Sequence, residues 1–162
     1  MKILNTYIGD LVSHPKVVET RYLMHHSVTK QEHLLRSAII SYRIAPVFGA
    51  DRRVCARAAL LHDLDSRMGT LSTHGRIAAG VAAQMGEPEP VCRAIVPHMF
   101  PLGPAPTSRE GWVLVLADKL ASLYDMTHFM LGLFTGRSLR VRRALKSTDP
   151  FFRARRRRRK RF

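Results

Sequence analysis

The chain has 162 residues, 46% of them apolar, and a formal net charge of +15. That is length enough for one domain with a real core, and two cysteines are too few for a disulfide scaffold. MKILNTYIGDLVSHP lacks the unbroken apolar run of a secretory signal, and WVLVLA (112–117) and FMLGLF (129–134) fall far short of the roughly 18–20 apolar residues of a membrane span. A cytoplasmic protein with Cys55 and Cys92 reduced is expected.

Helical periods run nearly throughout. Thr29-x-x-Glu32 is a capping-box signature, and the helix it opens is predicted to run to about Val47, with Leu34, Leu35, Ala38, Ile39, Tyr42 and Ala45 on one face. Gly49 ends it, Asp51 caps the next, and Val54, Ala58 and Leu61 carry that helix to His62. Residues 66–73 read as loop, 74–85 as a helix stopped by Gly86, and EPEPV as a further helix start ending near Pro97 to Pro101. PLGPAPTS (101–108) is a loop. Ser108 can cap a helix through about Tyr124, with Trp112, Val115, Leu116, Leu120 and Leu123 inward, and a last amphipathic helix spans roughly 127–146. No alternating period-2 stretch of convincing length and no repeat appear. The expectation is one all-α domain of six to eight helices over 1–146.

Charge is uneven along this layout. Residues 137–162 hold thirteen Lys or Arg and one acid, for +12, which leaves +3 for residues 1–136. RARRRRRKR (153–161) cannot bury itself, so 147–162 is expected to be a disordered basic tail. Such a tail can contact nucleic acid or an anionic surface through counterion release, without sequence choice. No aromatic residue interleaves the arginines, so base stacking is not indicated, and a solvated terminus without function is the alternative.

Candidate chemistry lies at the helix ends. His33 falls near the start of a helix, His62-Asp63 end one, His74 opens one and His98 ends one, while Asp118 sits among apolar Leu116, Ala117 and Leu120. A buried carboxylate needs a cation or several hydrogen bonds. One histidine at a helix end is ordinarily a cap or a surface residue. Taken jointly, His33, His62, Asp63, His74, His98 and Asp118 read as a metal-ligand set.

The segment EHLLRSAIISYRIAPVFGADRRVCARAALLHDLD resembles the first half of an HD-domain metal-dependent phosphohydrolase, and HMFPLGPAPTSREGWVLVLADKLASLYD is similar to a subgroup of small stand-alone bacterial HD proteins. The resemblance covers about residues 21–125. It implies a helical bundle in which His33, His62, Asp63 and Asp118 bind one metal, with His74 and His98 completing a dinuclear centre. Many such enzymes continue the doublet as HDxGK. Here it reads His62-Asp63-Leu64-Asp65-Ser66, so the lysine is absent, and no GYP motif is present.

Four imidazoles and two carboxylates suit Fe, Mn, Co, Ni or Zn, one or two ions, better than Ca. A centre of that kind supplies hydroxide near neutral pH and offsets charge on a phosphoryl group. Adjacent residues on a helix point about 100° apart, so the doublet is expected at an opened last turn, with Asp63 bridging two metals. Arg36, Lys119 and Arg76 are candidate phosphate clamps, each with an ordinary role as a surface ion-pair partner. His26, Ser108 and Arg109 are candidate pocket residues. The expected substrate is a small phosphorylated molecule, a nucleotide or related ester, with dinucleoside polyphosphates as one specific version. The alternatives are a non-catalytic metal- or nucleotide-binding module and a nucleic-acid-associated protein acting through the tail.

Overall fold

A computed structural model describes residues 2–25, 28–134 and 136–151. Eight α-helices are present among them: α1 Lys2–Val12, α2 Pro15–Glu19, α3 Lys30–Ile44, α4 Arg52–Leu61, α5 His74–Gln84, α6 Glu89–Ile95, α7 Arg109–Phe134 and α8 Arg137–Thr148. The all-α expectation holds. The one sheet among the described residues is a pair of two-residue antiparallel strands, β1 Met24–His25 and β2 Val28–Thr29, just ahead of α3.

Helix α4 is the axis of the bundle. Its sequence RRVCARAALL places Cys55, Ala56, Ala58, Ala59, Leu60 and Leu61 out of contact with water, and it packs against α1, α3, α6 and α7. A helix apolar on nearly all sides must be central. Asp51 caps its start by accepting from the amides of Arg53 and Val54. The only charged residue buried on α4 is Arg57, paired with Glu87 and Asp10. Cys55 lies buried beside Ala45 and Val113, and burial pushes its thiol up to about 12.

Helix α3 opens with the capping box as expected: Thr29 Oγ1 accepts from the Glu32 amide, and the Glu32 carboxylate accepts from the Thr29 amide. Its α-helical part ends at Ile44, earlier than expected, and a 3-10 turn over Ala45–Phe48 carries Pro46 to Gly49 at φ 59°. Proline supplies no amide for the i−4 bond, and the left-handed glycine stops the run.

Helix α7 departs most from expectation. It runs unbroken from Arg109 to Phe134, because Asp125, Met126 and Thr127 include no breaker. The break falls instead at Gly136, φ 64°, before α8. The expected inward face is also rotated. Trp112, Leu116, Leu120 and Leu123 are 39–65% exposed, and Val113, Leu114, Val115, Ala117, Asp118, Ala121 and Asp125 are buried. Both sides of α7 are apolar, so periodicity alone does not set its phase. What sets it is the turn of Asp118 and Asp125 toward histidines of α3 and α4.

Candidate metal centre

The hydrogen-bonded part of α4 ends at Leu61, and His62 is its C-cap. The next residues turn sharply: the Leu64 amide bonds back to the Leu61 carbonyl, and Asp65 sits in the left-handed region at φ 50°. This opened end lets the doublet point two ways. His62 joins His33 and Asp118 in one group of potential ligand atoms, and Asp63 joins His74 and His98 in a second, with all ligand atoms of each group within 4.8 Å of one another. Rings of His62 and His98 meet edge to face at 4.9 Å between centroids, so the two groups adjoin. All six residues are 0–9% exposed.

Hydrogen bonds fix the tautomers. His33 Nδ1 lies 2.7 Å from Asp125 Oδ2, His62 Nδ1 2.8 Å from the Ala59 carbonyl, His74 Nδ1 3.0 Å from the Thr70 carbonyl, and His98 Nδ1 2.8 Å from the Ile95 carbonyl. Each Nδ1–H therefore donates to an oxygen, so that each ring, when neutral, directs its Nε2 lone pair into the site. As bare lone pairs those nitrogens face other acceptors, so each calls for a proton or a cation. His33 Nε2 and His62 Nε2 lie 3.2 and 3.4 Å from Asp118 Oδ1, and His74 Nε2 and His98 Nε2 lie 2.9 Å apart. His33 Nε2 is buried without a hydrogen-bond partner. Two neutral imidazole lone pairs at 2.9 Å require a cation or a proton between them. The donor set fits a divalent transition ion in each group.

Electrostatics agree. Burial opposes ionisation of Asp63, yet Lys30 and His62 outweigh it and hold the carboxyl well below the usual range. Burial likewise opposes Asp118, and His33 and His62 pull it well below normal. Burial, reinforced by His62, lowers His98 to about 3, so this imidazole is neutral at any working pH. Burial would lower His33 too, but the carboxylates of Asp118 and Asp125 raise it to about 9.

These residues floor a cleft of about 680 Å³ whose walls include Arg67, Thr70, Leu71, Met99, Lys119 and Ser122. Lys119 Nζ lies 3.0 Å from Asp118 Oδ2 and 3.4 Å from the His98 carbonyl oxygen, beside the centre. Arg36, expected as a clamp, does not line the cleft. Its guanidinium is bonded to Asp125 and lies 4.6 Å from the centroid of the Tyr124 ring, because Asp125 is fully buried and needs a cation there. Arg76 is exposed on α5 and away from the cleft. Ser108 accepts from the Gly111 amide at the start of α7, and Arg109 donates to the Gly49 carbonyl, so both serve as connectors. His26 and the arginine run lie outside the described residues.

Three participants escaped the sequence reading. Asp125 was detectable, seven residues after Asp118 and so on the same helical face. His25, stacked on His33 at 4.0 Å between centroids, lies in the hairpin before α3. Lys30, bonded to Asp63, comes from a position 33 residues away with no local pattern to mark it.

A helical bundle with a buried nitrogen and oxygen donor set flooring an open cleft is the layout of a metal-dependent hydrolase. The chain belongs to the HD domain family of the metal-dependent phosphohydrolase superfamily, which matches residues 31–123. It is 32% identical over 94 residues to ribonuclease Y of Cutibacterium acnes, covering 56% of this chain and 17% of that protein. It is 32% identical over 102 residues to the glycine–tRNA ligase beta subunit of Paracoccus denitrificans (59% of this chain, 15% of the relative), and 31% identical over 137 residues to that of Streptococcus suis (78% and 19%). The chain thus spans less than a fifth of each of these relatives. No solved structure matches it. No helix among the described residues is long and apolar enough to cross a membrane.

Proposed function

We propose that the cleft hydrolyses a phosphate ester or anhydride of a small molecule, a nucleotide in the first instance, with His33, His62 and Asp118 holding one divalent ion and Asp63, His74 and His98 a second. Fe, Mn, Co, Ni and Zn all suit such donors. When bound, the ions supply Lewis acidity and lower the pKa of water to about 7. The observation that carries the reading is the set of four imidazoles, each with Nδ1 tied to an oxygen and Nε2 turned to the same floor.

The chain's own residues do the rest. Asp63 and Asp118 stay ionised at neutral pH, and their negative charge offsets part of the positive charge the ions would bring. Lys119 and Arg67 stand on the cleft wall, where a phosphoryl group would bring negative charge. Thr70 and Ser122 add hydroxyls along the same wall. Leu71 and Met99 offer apolar contact to a substrate body. Arg36 is left out of direct contact and acts through Asp125.

Ribonuclease Y is by name an RNA-cleaving enzyme, and the phosphate-ester bond is the chemistry carried over from it. A screen of the full chain on mono-, di- and dinucleoside phosphates with Mn, Fe, Co and Ni tests the proposal. Metal analysis of the purified protein accompanies it. His62→Ala and Asp63→Ala are expected to lose metal and phosphate release together. Full metal content and full activity in both variants would overturn the assignment.

A further inference from the structure

Helix α7 leaves a second apolar face open to water. Trp112, Leu116, Leu120, Leu123 and Met130 line it, 39–65% exposed. Positions 116, 120, 123, 127 and 130 step by 4, 3, 4 and 3, the spacing of a seam suited to another helix, with Thr127 as its polar member. Charge is nearly absent from the seam, as it is from the core of a protein interface. Of the charged residues of α7, Asp118 and Asp125 are buried and Arg109 and Glu110 precede the seam, which leaves Lys119 at its edge. At about 200 Å² for a whole side chain, these five apolar residues with Phe48 and Leu131 leave on the order of 700 Å² open. That exceeds the roughly 300–600 Å² of the largest patch on an ordinary monomer, and it approaches the ~800 Å² per partner of a stable interface.

The two ends of the seam complement each other. At one end Phe48, Trp112, Val115 and Leu116 line an apolar groove of about 520 Å³. At the other end Met130 and Leu131 stand 50% and 65% exposed. A second copy turned antiparallel, about a two-fold axis between Ala121 and Ser122, sets Leu120 opposite Leu123, Leu116 opposite Thr127 and Trp112 opposite Leu131. Each groove then receives the other copy's Leu131. We propose that two copies of the chain pair through this face, α7 against α7, in that antiparallel register. The patch is its own complement, as a two-fold interface requires. Charge selects the direction. Residues 137–162 carry +12, and parallel pairing would bring the starts of these two segments together. Antiparallel pairing sets the two Gly136 turns about 40 Å apart at 1.5 Å per residue, well beyond the ~8 Å over which salt screens charge. Asp118 lies about 120° round the helix from Trp112, so pairing leaves the metal cleft open.

Sedimentation equilibrium of the full chain measures the pairing. A mass twice the 18.4 kDa of one chain is expected at micromolar concentration. Leu120→Glu with Leu123→Glu crowds carboxylates at the centre of the seam. That variant is expected to be a monomer with unchanged helical circular dichroism, since both side chains are exposed. Cross-linking with a short bismaleimide reads the register, with the unaltered chain as blank. Trp112→Cys combined with Leu131→Cys is expected to form a covalent dimer. Neither single variant does so, because in the antiparallel pair each position lies about 28 Å from its own counterpart. If the double glutamate variant fails to fold, the cross-linking decides alone. A monomeric unaltered chain overturns the proposal, and co-sedimentation of that monomer with phosphatidylglycerol vesicles would assign the face to an anionic lipid surface instead. Pairing that survives the double glutamate, no covalent dimer from the double cysteine variant, or a covalent dimer from Trp112→Cys alone overturns it as well.

Discussion

Asp125 grips His33 from behind: its Oδ2 lies 2.7 Å from His33 Nδ1, and neither residue has measurable exposure. Its other oxygen takes the Arg36 guanidinium. The chain of contacts Arg36–Asp125–His33–Asp118 crosses from α3 to α7 and back, and it fixes the ring plane of a metal ligand. Removing the outer partner of a ligand histidine typically costs about 10–100-fold in metal affinity. Asp125→Ala is therefore expected to weaken metal binding by about that factor. Asp125→Asn, whose amide oxygen still accepts from Nδ1–H, loses less. Chelator competition on both variants measures the difference.

Arg57 carries a second buried network, remote from the cleft. It donates to Glu87 through Nε at 2.7 Å and to Asp10 at 2.8 Å, and the Glu87 side chain is 3% exposed. Arg57→Leu leaves Glu87 buried and unpaired, which costs about 3–5 kcal/mol. Asp10 is largely exposed, so Asp10→Asn costs no more than about 1 kcal/mol. The double variant Arg57→Leu, Glu87→Leu recovers most of the loss. Urea denaturation of the four proteins checks the order.

Much of this was legible in the sequence, for identifiable reasons. Helices α3 and α4 announce themselves through local chemistry, Thr29 with Glu32 and then Asp51, because caps are built from neighbours a few residues apart. The phase of α7 was not legible. Trp112, Leu116 and Leu120 look like core, and only contact with His33 and His62 turns Asp118 inward in their place. Lys30 is hidden for the opposite reason. It sits inside a capping box, where a lysine reads as solvated surface, and its partners Asp63 and Ser66 are remote in sequence.

Gly75 sits between the two halves of the His74–His98 subsite. A Cβ there would lie 2.3 Å from the Val96 carbonyl oxygen and 3.3 Å from His98 Nδ1. Backbone of α5 and the turn after α6 must separate to admit it, which carries His74 away from His98. Gly75→Ala is expected to destabilise the fold by about 1–3 kcal/mol, as overpacking does. Metal binding at this subsite should fall as well, with the His33 group less affected. Thermal denaturation and metal titration of the variant test both.

Protons and metal compete at His33, and the sign follows from its surroundings. In the metal-free fold His33 is raised from 6.5 to about 9 by Asp118 and Asp125 against burial, so the folded state binds the extra proton between those values. That stabilisation is full below pH 6.5 and is lost as pH rises through about 9. His98 works the other way. Held at about 3 by burial, it stays neutral in the fold while the unfolded chain protonates below 6.5, so stability falls as pH drops from 6.5 toward 3. Chelator-stripped protein is thus expected to be most stable near pH 6.5, with His33→Asn losing the alkaline decline. Metal replaces the His33 proton, so apparent affinity at the His33–His62–Asp118 group climbs about tenfold per pH unit for one displaced proton and levels off near pH 9. Urea titrations from pH 5 to 9.5, with and without Mn, measure both effects. A stability curve for stripped protein that rises steadily through pH 9 contradicts the assignment of His33.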